Sequence, residues 1–380
     1  MIALEKLSQD FERRYGGKPR WLSLAPGRIN LLGEHVDYLG GRVLPAAIDR
    51  GVSIAAAPGG PGLVVHAADF AESHEFTQAG LEGAKPAGWR AYLWGALREV
   101  AKLGVAWQGG SWLVAGDLPR GAGLSSSAAL EVATANLLLA MAGRTLESRE
   151  LARLARRVEN LHVGTQCGIM DQFASIHGRA GHFMILDCAS LEVEHVAAAL
   201  HGADWILLNS MVKHELGDEY NSIRAELEQA ERKIAKGPLV RLAPEEVDRA
   251  RDRLTPSEYL RAAYAAGEAA RTAHFIAALR RGDATAAGKL LVATHEGLSR
   301  NLRVSTPEID GLIEIAAKTP GWHGGRMMGG GFGGCTLNLV VSALRDEFLA
   351  GVKAGFQQRF GIATEDYPVR LADGASARRL

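Results

Sequence analysis

Arg28, Asn30, Glu34, His35, Asp37 and Tyr38 crowd into one short stretch, APGRINLLGEHVDYLGGRVLPAAID at 25–49. A half-buried strand shows simple alternation of apolar and polar residues. This stretch instead packs many hydrogen-bonding groups between glycines, a density that suits gripping a small polyhydroxy molecule. Taken alone, it also reads as a polar strand-turn-strand connection at the surface.

A second stretch, LPRGAGLSSSAALEVATANLLLAMAG at 118–143, leads from small residues into a long apolar run. Glycines let backbone N–H groups approach a ligand. The serines suit a helix start, where a hydroxyl accepts from an early N–H. Together they predict a helix N-terminus whose free donors and positive dipole end favour phosphate. A capped core helix after a flexible turn is the other reading, and no GxxxxGK[ST] loop occurs. A third stretch, GRMMGGGFGGCTLNLV at 325–340, places five glycines around Phe332. Ordering them costs much entropy, tolerated where backbone presses on a ligand or on another chain segment. A flexible linker would more commonly carry Ser, Pro and charges.

The elements that hold these stretches are mixed. Strand-like runs fall at 21–25, 43–48, 52–57, 111–115, 183–187, 205–209 and 335–341. Helical spacing marks 1–16, the run LARLARRVENLHVG, 222–237, 256–281 and 284–300. A boundary fits near 188–203, which predicts one domain over 1–195 and a second over 196–380. The chain is long enough for two sizeable domains.

Composition narrows the function. Basic and acidic residues balance at 43 and 43, and no basic-aromatic interleaving appears, which argues against nucleic acid as a partner. The first residues form a charged amphipathic pattern rather than a signal peptide, and no apolar run approaches a membrane span. Three cysteines, Cys167, Cys188 and Cys335, without CxxC spacing, point to reduced thiols in a cytoplasm and to no zinc cage. Cys167 precedes Asp171 by four residues and is not read as a nucleophile. No obligatory protein partner is evident.

The three stretches, in this order, resemble the signature motifs of the GHMP kinases, and the wording GRIN-LLGEHVDY-GG-VLP is similar to that family's galactokinase branch. GTQCGIMDQFAS at 164–175, NSMVKHELGDEYNSIR at 209–224 and LRVSTPEIDGL at 302–312 also fit, so the likeness spans roughly 10–370. The resemblance implies an α+β fold of two domains, an N-terminal α/β domain and a ferredoxin-like C-terminal domain, with the active site between them. It implies transfer of the ATP γ-phosphoryl group to the C1 hydroxyl of galactose, with Mg²⁺.

Residue by residue, the resemblance makes Asp171 the group that receives the sugar proton and Arg28 the cation facing it. Glu34, His35, Asp37, Gly168 and Tyr220 would contact the sugar. Gly121, Ala122, Gly123, Leu124, Ser125, Ser126 and Ser127 would hold the ATP phosphates. Ser127 and Glu159 would hold the metal. Kinases of related sugars (N-acetylgalactosamine, arabinose, galacturonate) remain alternatives. A non-catalytic sensor of the same fold is a further one, against which the whole GLSSSAALEVA motif argues. Val36, Arg120, Met328 and Gly325 depart from the usual wording. Arg120 is expected to alter nucleotide contacts, and Val36 to reshape the sugar pocket slightly.

Overall fold

The computed structural model describes residues 4–198, 200–213 and 218–380. In chain order its strands are β1 Trp21–Asn30, β2 Arg42–Val43, β3 Pro45–Pro58, β4 Leu63–Ala67, β5 Glu72–Phe76, β6 Gly110–Gly116 and β7 His182–Asp187. They continue as β8 Glu192–Ala197, β9 Ala203–Asn209, β10 Trp322–Met327, β11 Cys335–Val341, β12 Glu365–Pro368 and β13 Ser376–Arg379.

The first sheet has the order β13-β1-β3-β6-β4-β5. Alternation along β3 and β6 explains its two layers, since neighbouring side chains on a strand point to opposite faces. Ile54, Ala56, Trp112 and Val114 face helices Trp89–Ala101, Ser126–Met141 and Ser148–Arg157. Ala55, Leu113 and Ala115 face the other way, against Leu7 and Phe11 of helix Leu4–Tyr15. Helix Ser126–Met141 is apolar almost all round and is buried accordingly.

Two strands run further than their sequence suggests. Pro26 and Gly27 look like a stop after Ala25, yet β1 passes through them with a register shift between Pro26 and Arg28. A Cβ on Gly27 would lie 2.5 Å from the Leu124 carbonyl oxygen, so the glycine admits the 121–127 loop against the strand. The run 43–48 divides, Val43 going to β2, and its part from Pro45 fuses with 52–57 into β3, with Gly51 passing so close to β1 that a Cβ would sit 2.3 Å from the Ala25 carbonyl.

The second sheet, β10-β11-β9-β12, is antiparallel throughout. Its order and its helical crossovers are those of a split βαβ, ferredoxin-like unit. Helices Pro307–Ala316 and Arg345–Phe360 pack on one face through Leu312, Phe348 and Phe356. Between β9 and β10 runs the long helix Pro256–Arg280, started by Pro256 and a reciprocal box between Thr255 and Glu258. The expected helix 222–237 begins earlier, at Asp218, and ends at Ile234. The run 284–300 divides into helix Ala284–Glu296 and a π-helical turn, Gly297–Leu302.

A small third sheet, β2-β7-β8, links the two halves. β8 crosses position 195, and β13 returns to pair with β1 in the first sheet. Among the described residues no helix is long and apolar enough to cross a membrane, and the three cysteines are free.

Candidate active site

A cleft of about 250 Å³ opens between the two halves. Every residue singled out above for catalysis, sugar, phosphate or metal lines it. Tyr92, Pro119, Thr165, Cys167, Met170 and Gly330 line it as well; all but Tyr92 lie within the motif stretches, and no sequence signal marked Tyr92.

At the centre, the β1 bulge delivers Arg28, which is almost wholly buried. Its guanidinium forks onto Asp171, with Nε donating to Oδ1 at 2.7 Å and Nη2 to Oδ2 at 3.0 Å. Nη1 donates to the Gly123 carbonyl at 2.6 Å, so one side chain ties the carboxylate to the glycine loop. Burial works against the charge on Arg28, but Asp171 and Glu34 overcome it and raise its pKa. Asp171 sits in the first turn of helix Met170–His177.

The expected capping serine behaves differently. Ser125 precedes helix Ser126–Met141 in a left-handed conformation, φ +60°, and makes no side-chain cap. Its hydroxyl donates to Asp171 Oδ2 at 2.5 Å instead. A non-glycine residue at this φ is strained, and such strain concentrates at functional sites. The first-turn N–H groups of the helix lack intrahelical acceptors by geometry, and Ser126 and Ser127 belong to the cleft wall.

On the sugar side, burial pushes the Asp37 carboxyl up to about 6, with Asp171 adding to the rise. Its Oδ1 accepts the Tyr38 N–H at 2.9 Å. Gly168 touches the same carboxylate so closely that a Cβ would fall 1.8 Å from Oδ2. His35 has φ +58°. Its Nε2 lies 3.0 Å from the Gly330 carbonyl and its Nδ1 2.9 Å from the Tyr38 hydroxyl. A carbonyl only accepts, so Nε2 carries the proton. The His35 and Tyr220 rings lie 5.0 Å apart. Burial opposes the charge of Glu34, but Arg326, then Arg28 and the Gly329 N–H, hold its carboxyl below the usual range.

Glu159 lies in a π-helical turn, Val158–Val163, which continues helix Ser148–Arg157. The sequence run alone would leave it an exposed helix carboxylate; it is buried. The turn is gripped from both sides by the buried Glu99, which accepts from Arg157 Nε at 2.8 Å and pairs with His162 Nε2 at 2.9 Å. Ser127 Oγ lies 3.5 Å from Glu159 Oε2. Burial, then the charge of Asp171, pushes Glu159 up to about 7. Glu131 is raised too, by burial and by Glu159, and its Oε1 has no hydrogen-bond partner.

One hydroxyl, one carboxylate and this surplus of negative charge fit a hard cation that fills its shell with water and phosphate oxygens. Among the described residues no group of three or more His, Cys, Asp and Glu side chains could hold a metal ion unaided.

Val36 does not line the pocket: it is fully buried in the core with Val43 and Ile169. Arg120 is exposed, with its guanidinium 4.2 Å from the Phe70 ring centroid. Burial pushes the Cys167 thiol up, and it donates to Asn160 Oδ1, which suits an inert thiol. His214 to Gly217 of the expected sugar segment lie outside the described residues.

Comparison with known proteins agrees in wording and in shape. Residues 9–58 match the galactokinase galactose-binding signature, 91–179 the GHMP kinases N terminal domain and 275–353 the GHMP kinases C terminal region. A galactokinase from Homo sapiens is 36% identical over 98% of this chain and 96% of its own length. One from Chloroflexus aggregans is 36% identical over 95% of this chain and 94% of its own. The crystal structure of Lactococcus lactis galactokinase complexed with galactose superposes with a TM-score of 0.94, at 30% identity, over 98% of this chain and 99% of that one. A mevalonate kinase at 17% identity, with a TM-score of 0.65 over 93% of this chain and 99% of that one, shares the fold.

Proposed function

The chain belongs to the galactokinase family of the GHMP kinases and is an ATP-dependent sugar kinase, and we propose that it moves the γ-phosphoryl group of ATP onto the C1 hydroxyl of galactose, giving galactose 1-phosphate and ADP. The observation that carries this reading is the Arg28 fork on Asp171, anchored to the Gly123 carbonyl. It sets a proton acceptor, a fixed cation and a helix N-terminus around one point. The galactose named with the Lactococcus lactis structure supports the choice of sugar.

Phosphoryl transfer passes through a loose transition state, so positioning and charge neutralisation do most of the work. In this reading Gly121 to Ser127 hold the triphosphate with backbone donors and hydroxyls. Asp171 takes the proton of the attacking hydroxyl, late in the transfer. Arg28 stays charged beside it and stabilises the moving phosphoryl group. Asp171 Oδ2 takes both Ser125 and Arg28 Nη2 whereas Oδ1 takes only Arg28 Nε, so Oδ1 has the more room to accept the sugar proton. Ser127 and Glu159 would hold Mg²⁺, which would supply positive charge to offset that of the phosphates.

Glu34, His35, Asp37, Gly168 and Tyr220 would surround the hexose. Residues 1–195 supply most of the cleft, and 196–380 contribute Tyr220 and Gly330. Three free thiols support a cytoplasmic setting.

A panel of sugars assayed with Mg-ATP tests the reading. Galactose should exceed glucose, its C4 epimer, by up to about 10⁴-fold in kcat/KM, because a displaced hydroxyl leaves buried polar groups unpaired. Comparable rates on glucose, or a preference for N-acetylgalactosamine, would move the assignment to another sugar.

A further inference from the structure

Glu34 is held almost entirely from outside its own domain. Arg326, on β10 of the second sheet, is fully buried. Its Nε donates to the Leu31 carbonyl at 2.6 Å, its Nη1 to the Met327 carbonyl at 2.6 Å, and its Nη2 to both the Asn30 carbonyl and Glu34 Oε1, the latter at 3.0 Å. The Gly329 N–H donates to the same Oε1 at 2.8 Å. Two residues one turn apart on helix Pro256–Arg280 complete the grip. Tyr264 donates its hydroxyl to the Glu34 carbonyl at 3.1 Å, and Glu268 Oε1 accepts the Gly33 N–H at 2.8 Å.

From this geometry we infer that Arg326 is a positioning residue for sugar recognition, acting through Glu34. The inference rests on the reading of Glu34 as a sugar contact. Glu34 lines the cleft although Oε1 is occupied by two donors, so Oε2 is the oxygen offered to a hydroxyl there. A carboxylate pinned at one oxygen presents the other in one direction, and a fixed acceptor separates epimeric hydroxyls where a swinging one does not. Only arginine can do this: its planar fork reaches the carbonyls of three residues and a carboxylate at once, whereas lysine brings a single nitrogen. Glu34 in turn neutralises a guanidinium that burial would otherwise make costly.

The test is a cycle of Arg326→Lys, Glu34→Gln and the double variant. Galactose and ATP dissociation constants are read by calorimetry, and the urea midpoint is followed alongside. Arg326→Lys should weaken galactose at least about tenfold and ATP less than about twofold. Placed on Glu34→Gln, the same change should cost galactose binding at least about fivefold less than it costs the wild type, because the two act as one unit. Equal costs in both backgrounds, or an Arg326→Lys variant that binds galactose normally, overturn the inference. Glu34→Gln binding galactose at wild-type strength would instead sink the reading of Glu34 itself. Should Arg326→Lys fail to fold, Tyr264→Phe removes only the hydroxyl on the Glu34 carbonyl. It should weaken galactose by about two- to fivefold and leave ATP alone; no change there also overturns the inference.

Discussion

Two glycine-rich loops meet in the cleft, and they use glycine for opposite ends. The loop 121–127 faces outward: its members line the cavity, and behind it helix Ser126–Met141 opens its first turn. The loop 329–334 faces inward. A Cβ on Gly331 would lie 2.5 Å from Val304, one on Gly333 2.6 Å from the Val212 carbonyl, and one on Gly334 3.0 Å from the Ala122 carbonyl. Of that second loop only Gly330 reaches the cavity. The first loop is bare so that a ligand can come close; the second is bare so that chain can pack on chain, including on the first loop. Substitutions should therefore separate into loss of turnover on one side and loss of stability on the other.

The largest effect is expected at Asp171, the carboxylate that the first loop holds through Ser125 and, by way of Arg28, through Gly123. Asp171→Asn should lower kcat about 10²–10⁴-fold, with galactose binding by calorimetry and the urea midpoint close to wild type. A variant that turns over normally would mean that positioning alone carries the rate.

Gly331→Ala probes the other loop. A left-handed φ of +97° and the clash with Val304 should cost about 1–3 kcal/mol of backbone strain and a similar amount of overpacking. A lower urea midpoint reports this, while the folded fraction keeps its KM for ATP. Loss of ATP affinity at full stability would erase the contrast between the loops.

Gly168 sharpens the comparison because, besides lining the cleft, it presses on the Asp37 carboxylate. With Asp37 held near 6, its protonation on the acid side removes a hydrogen-bond acceptor. kcat/KM for galactose should then fall about tenfold per pH unit below 6, since that ratio reports the free enzyme. For stability the sign reverses. A carboxyl with a raised folded value favours folding most below the unfolded range, and that contribution disappears as pH climbs toward 6. A flat galactose profile from pH 5 to 7 would place Asp37 outside sugar binding.

The sequence displayed the cleft better than the frame around it. Residues of the motifs are close in sequence, and their chemistry is local, so Arg28, Asp37, Asp171 and the 121–127 loop all converge as their wording implies. What it hid depends on distant partners. Ser125 looked like a cap because nothing nearby shows that its hydroxyl faces Asp171, 46 residues on. Arg326 looked like any charged residue beside a glycine run, because three of its four acceptors lie almost 300 positions earlier. β1 was cut short at Pro26 and Gly27, residues that usually break strands but here form a bulge. Strands β5, β10, β12 and β13 carry His, Glu, Gly or Arg in place of an apolar period, and their pairing, not their composition, makes them strands.

The pairing of β13 with β1 sets an order in time. Trp21 to Leu24 find their outer partners only in residues 376–379. Synthesis at about 5–20 residues per second keeps that edge unpaired for roughly 20–70 s after β1 has emerged from the ribosome. An open strand edge is a template for other chains, so a nascent chain of this protein passes through a long window in which it is sticky. The strand that carries Arg28 at its far end is the one left waiting.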